Sequence, residues 1–164
     1  MKHRPHKRPA APTTYSMVDE LLASATAPLP EAKRLHQLTV MWQGLAALET
    51  APEPTINDWR VCSDAVNLME TLIRDMRLCD DTHGLLQDAV TAMAMAGKRH
   101  LQGKPIRLDG PGIQAVRAVL EDYAHMLDML PHRTVVHCHR LTEKRLNLIH
   151  RGQRQPHDVE VMSL

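Results

Sequence analysis

Arg133, His137, Arg140, Lys144, Asn147 and Arg151 follow one another at steps of 4, 3, 4, 3 and 4 residues. On a helix that spacing stacks them into one continuous stripe of five basic positions and an asparagine, with no acid in it. Such a stripe attracts phosphates or an acidic protein surface, and affinity built on phosphate contacts falls steeply with salt. His137 gains charge near pH 6 and adds to the field. No aromatic residue interleaves the stripe, so stacking on unpaired bases is not supported. No helix-turn-helix, zinc-finger or RNA-binding signature reads sequence. The plain use of the same residues is a solvated helix face. These six are the candidate partner- or nucleic-acid-binding residues, and no catalytic residue is assigned.

The other chemistry-bearing residues are less well placed. His137, Cys138 and His139 are adjacent, and neighbours on a helix point about 100° apart, so the three cannot converge on one ion. His139 and Glu143 share a face but need ligands from elsewhere. The histidines are therefore expected at surface or capping positions, and neither a metal nor a cofactor is assigned. A nucleophilic Cys138 would need a base against it, and its two histidine neighbours splay away. Asp64, Glu70, Asp75 and Asp88 are expected on outer faces, with no spacing that pairs carboxylates for acid–base work. Gly97-Lys98 and Gly103-Lys104 lack the phosphate-loop spacing, and Gly110-Pro111-Gly112 follows no βαβ unit, so it reads as a turn into a helix.

The stripe needs a helix to carry it, and the chain is rich in helices. It has no Phe and only four Trp and Tyr, against ten Met; this composition disfavours strands and favours helices. Trp59, Cys62, Val66, Met69, Ile73 and Met76 step 3, 4, 3, 4, 3, which predicts a helix from Thr55 to Cys79 with one narrow apolar seam. Thr55 is its N-cap, with Asp58 three residues on. Before it, Pro30 and Glu31 open a helix that Pro52 and Pro54 end near Thr50. The short connector predicts an antiparallel hairpin. A third helix runs to about Leu101 with Leu86, Val90, Met93 and Gly97 on one side. A fourth spans Ile113 to Leu130, and the striped helix runs from Pro131 to about Arg151, with Gly152 as C-cap. Residues 16–23 form one or two turns, with Met17, Leu21 and Leu22 expected to dock on the core. Residues 104–109 are extended, and the alternating 158–162 segment could pair with them as a short strand.

The fold expectation is an all-α, antiparallel bundle of about five helices, with at most one minor two-stranded β element. Residues 1–14 are a basic, proline-rich, disordered arm, and residues 15–164 one domain. Charge is uneven along it: +4 over residues 1–14, −6 over 15–130, +5 over 131–155 and −2 over the last nine. The N-terminus lacks the apolar core of a secretory signal, and no run is long enough to span a membrane. Cys62, Cys79 and Cys138 are too few and too scattered for a disulfide framework. The expected setting is cytoplasmic, with no membrane partner. Seams this narrow also suit a homodimer.

The stretches DWRVCSDAVNLMETL (58–72) and GKPIRLDGPGIQAVRAVLEDY (103–123) resemble small helical proteins of proteobacterial prophages and plasmids. The resemblance covers about residues 17–164 and implies a mobile-element context, without an activity or any functional residue to carry over. The expected function is a non-enzymatic interaction protein that binds a larger protein or nucleoprotein complex through the basic C-terminal helix. A mobile-element regulator, or an inhibitor of host defence of the anti-CRISPR kind, has this character. The alternatives are a dimeric DNA- or RNA-binding protein and a metal-dependent protein using the histidines and cysteines.

Overall fold

The structure, a computed structural model, describes residues 15–154. The N-terminal arm and the 158–162 segment lie outside the described residues. Six α-helices follow in order: α1 Met17–Leu22, α2 Glu31–Thr50, α3 Ile56–Glu70, α4 Leu86–Leu101, α5 Gly110–Met129 and α6 His132–His150. There is no strand among the described residues, only an isolated bridge between Pro28 and Pro131. Residues 104–109 are neither helix nor strand and pair with no strand among the described residues, and they insert Ile106 and Leu108 into the core. No described helix is long and apolar enough to cross a membrane.

Local sequence sets the helix ends. Ser16 and Asp19 form a reciprocal capping box at α1, and Thr55 and Asp58 form another at α3; each satisfies two orphan first-turn donors. Asp109 caps α5 by accepting from the Gly112 N–H at 2.8 Å, so α5 starts three residues before the apolar spacing suggests, with Pro111 in its first turn. Pro131 offers α6 no side-chain cap. Instead the His132 and Arg133 N–H groups donate to the carbonyls of Ala27 and Ser24 at 2.8 and 2.9 Å. These bonds satisfy the orphan donors of α6 and tie the 24–28 segment across its start.

The core is organised around α3, which packs on α2, α4, α5 and α6. Trp59, Cys62, Val66 and Met69 of its seam are buried. The Trp59 indole N–H donates to the Met93 carbonyl at 2.9 Å, which couples α3 to α4. At Gly44 a Cβ would lie 2.3 Å from Val61 Cγ2 and 2.9 Å from the Asp58 carbonyl oxygen. Only glycine allows α2 to approach α3 this closely.

The long helix expected over 55–79 is corrected by the structure. Regular α geometry stops at Glu70, Thr71–Asp75 is a π-helical turn, and Arg77 follows in the left-handed region at φ 53°. A buried ion pair explains the switch. Glu70, expected on an outer face, is fully buried and meets Arg145 of α6, which is 1% exposed. Arg145 Nη1 lies 2.6 Å from Glu70 Oε2, its Nη2 donates to the Asn67 carbonyl at 2.9 Å, and its Nε is 3.5 Å from Asp75 Oδ2. In an α-helix, residues 70 and 75 would be about 140° out of phase. The i→i+5 turn stacks them, so both carboxylates face one guanidinium. Arg74 closes the cluster on the other Glu70 oxygen at 2.9 Å, and Arg154 pairs with Asp75 at 3.0 Å. The Thr142 hydroxyl sits 2.6 Å from that of Thr71 beside it.

Breaking one partner of a buried pair strands the other charge, which costs about 3–5 kcal/mol, whereas replacing both with apolar side chains costs far less. Urea unfolding of Arg145→Met should show a loss in that range, and Glu70→Met with Arg145→Met should recover most of it. A double variant no more stable than the single one would contradict the stranded-charge account.

Candidate functional site

The six stripe residues share the outer side of α6, but the structure divides them. Arg133 caps the C-terminal end of α1: its Nε donates to the Ala23 carbonyl at 3.1 Å and its Nη2 to that of Leu21 at 3.2 Å. A cation there also meets the negative end of the helix dipole. His137 Nδ1 lies 3.0 Å from one oxygen of Glu20, and Arg140 bonds the other. Burial would raise the Glu20 carboxyl, but the bonds from Arg140 and His137 outweigh it and hold it below its ordinary value. Half of the stripe is thus engaged in holding α1.

Lys144, Asn147 and Arg151 remain exposed, and their side chains have no hydrogen-bond or ion-pair partner among the described residues. With Arg140, Glu143 and Leu148 of α6, and with Tyr15, Ser16 and Met17, they line a surface groove of about 520 Å³. The side chains expected to dock α1 on the core do the opposite. Met17, Leu21 and Leu22 are 62, 69 and 81% exposed, and Val18 stands beside them at 61%. None of α1 is buried; its attachment runs through Glu20 and its C-terminal carbonyls. Sequence spacing missed this because a six-residue helix holds too few turns to show which face is the anchor.

The three residues 137–139 point three ways. His137 meets Glu20, Cys138 is buried with its thiol 3.5 Å from the Leu68 carbonyl, and His139 turns towards α2 and α3. Burial pushes the Cys62 and Cys138 thiols up to about 12, which disfavours the thiolate a nucleophile needs. No group of three His, Cys, Asp or Glu among the described residues is placed to hold a metal ion.

His139 is the histidine that departs from the expected surface or capping position. It forms one wall of a second recess, a cleft of about 190 Å³ between α2, α3 and α6. His36, Gln37, Val40 and Met41 come from α2, Val61, Asp64, Ala65 and Leu68 from α3, and Tyr123 from α5. The Tyr15 ring stacks edge-on against His139 at 5.1 Å. Gln37 Oε1 and His139 Nε2 are buried and have no hydrogen-bond partner among the described residues. Burial lowers the His139 imidazole to about 4, so it is neutral at pH 7. Asp64 stands exposed at the mouth, yet desolvation by the surrounding side chains raises it to about 6, with Arg60 opposing. No spacing in the sequence could assemble this cleft, because its polar groups come from four helices.

Compared with known proteins, the chain matches no family model, no curated protein and no solved structure.

Two titratable groups of the cleft, His139 and Asp64, act on stability in opposite senses. His139 is lowered from 6.5 to about 4, so its contribution is complete above pH 6.5 and is lost as pH falls towards 4. Relative to His139→Leu, the natural protein should lose on the order of 2 kcal/mol between pH 7 and 4.5 in urea unfolding. Asp64 is raised from 3.8 to about 6, so its ionisation disfavours the folded state as pH rises through that window. Asp64→Asn should therefore unfold at a higher temperature than the natural protein at pH 7, with the gap closing near pH 3.5. No gap would show that the carboxylate is well solvated in the fold, and a gap of opposite sign that a cation such as Arg60 stabilises its charge there.

Proposed function

We propose that this protein is a non-enzymatic, cytoplasmic interaction protein that binds a larger protein or nucleoprotein assembly through α1 and the adjoining basic face of α6. The observation that carries the reading is α1 itself. Its only described polar anchors face α6, four large apolar side chains are left in water, and one of them, Met17, shares a groove with Lys144 and Arg151. An apolar cluster rimmed by charge marks a protein contact more than a nucleic-acid groove. The groove also contains Glu143, which repels phosphates, and Leu148, which offers them nothing. The partner chemistry that fits is an apolar anchor flanked by acidic groups. An antiparallel arrangement of the helices around α3 would make the platform rigid. A mobile-element regulator or an inhibitor of a host nucleoprotein machine would use such a surface.

Affinity capture from a bacterial lysate, with and without nuclease, tests the reading. A defined protein assembly should survive nuclease and be lost with Lys144→Glu plus Arg151→Glu, and with Leu21→Glu alone, while helical circular dichroism is retained. Capture of nucleic acid alone, abolished by nuclease, would hand the surface to the direct-binder alternative. Sedimentation at micromolar concentration identifies self-association: a dimer broken by Leu21→Glu would assign the apolar face to a second copy.

A further inference from the structure

The cleft between α2, α3 and α6 is a separate feature, on which the partner surface does not depend. Its floor is apolar, from Val40, Met41, Ala65 and Leu68. Its polar groups are unusual in being left over. Buried amide and imidazole atoms normally have a partner, and each buried one without costs about 1–3 kcal/mol. Gln37 Oε1 and His139 Nε2 are two such atoms lining one recess. The Trp59 indole and Thr142 hydroxyl are bonded within the fold; Ser63, Asn67 and His132 also carry buried atoms without a hydrogen-bond partner among the described residues, but these residues do not line the recess.

The charge of the recess selects a ligand class. No Lys or Arg lines it, although His36 does, and Arg60, on α3 one turn before Asp64 and outside the lining, acts on that carboxylate from beside the recess. Asp64 is the one carboxylate in the lining and is ionised at neutral pH, and His139 is neutral there. A neutral imidazole nitrogen without a proton accepts a hydrogen bond, as do a carboxylate and an amide oxygen, whereas an ammonium group offers three donors and no acceptor. The size selects as well. An apolar cavity of about 150 Å³ takes one benzene molecule, so about 190 Å³ holds a ring-sized body with a small head group.

We infer that this cleft binds a small primary amine in its ammonium form, with the apolar body on Val40, Met41 and Leu68 and the head group among Asp64, Gln37 and His139. Asp64 supplies the charge, and Gln37 and His139 supply acceptors that otherwise stay unbonded. An anionic ligand is disfavoured by the carboxylate, and a neutral one gains nothing from its charge.

Benzylamine is a suitable probe, with benzyl alcohol and benzoate as neutral and anionic isosteres. The full chain is titrated with each and followed by residue-resolved amide NMR. Benzylamine should give saturable shifts at residues 37, 40, 64, 65 and 139, and Asp64→Asn should weaken it about tenfold while remaining folded. Benzoate should give no saturable shift there. Gln37→Leu is an independent variant on another helix, and it should weaken benzylamine while leaving the spectrum of the rest of the fold in place. Three outcomes overturn the inference: no saturable shift at these residues, equal affinity for benzyl alcohol and benzylamine, or unchanged benzylamine affinity in Asp64→Asn.

Discussion

Burying the Arg145 guanidinium between α3 and α6 is the constraint on which much of this structure depends. An isolated charge out of water is too costly for a domain of marginal stability, so the fold must bring partners to it. Glu70 alone satisfies part of the fork. The rest comes from the Asn67 carbonyl and from Asp75, and Asp75 reaches the same guanidinium because the helix changes to a π turn between the two carboxylates. Irregular backbone here is a means of placing side chains: widening one turn moves a residue to a different face without ending the element.

The same constraint fixes the register of α6. Val135, Cys138, Thr142, Arg145 and Ile149 step 3, 4, 3, 4 and are all buried. With Arg145 turned inwards, Arg140, Lys144, Asn147 and Arg151 must face outwards, and His139 must face α2 and α3. The partner surface and the cleft are therefore both consequences of one register. A one-residue slip of α6 would cost the buried pair, the Glu20 anchor and the cleft wall together.

Most of the helical plan was legible in the residues, because it rests on signals a chain carries locally: prolines before α2 and α6, capping pairs at Thr55–Asp58, and 3-4 apolar spacing. The failures share a physical cause. Glu70 and Arg145 occupy buried register positions, and charged residues are so seldom buried that spacing by hydrophobicity passes over them. The polar line Ser63, Asn67, Glu70 on α3, at steps of 4 and 3, opposite an arginine in the seam of α6, was the available signal. The π turn follows from that pairing and cannot be read before it. The stripe on α6 was visible, but that α1 would occupy half of it depends on Glu20, far off in sequence. The cleft was not legible at all, since neither orphaned atoms nor desolvated carboxylates have a sequence pattern.

The contact between Glu20 and α6 also makes that surface competitive. Any anion that engages His137 or Arg140 from outside must first displace an internal carboxylate already bonded to both. Its apparent affinity is lowered by the fraction of molecules in which Glu20 has let go. Because no side chain of α1 is buried, release of that helix uncovers little apolar surface and belongs to the low-energy end of local opening. Glu20 thus acts as a tethered pseudo-ligand: it screens weak, scattered anions from the stripe and yields to one that offers several charges at once.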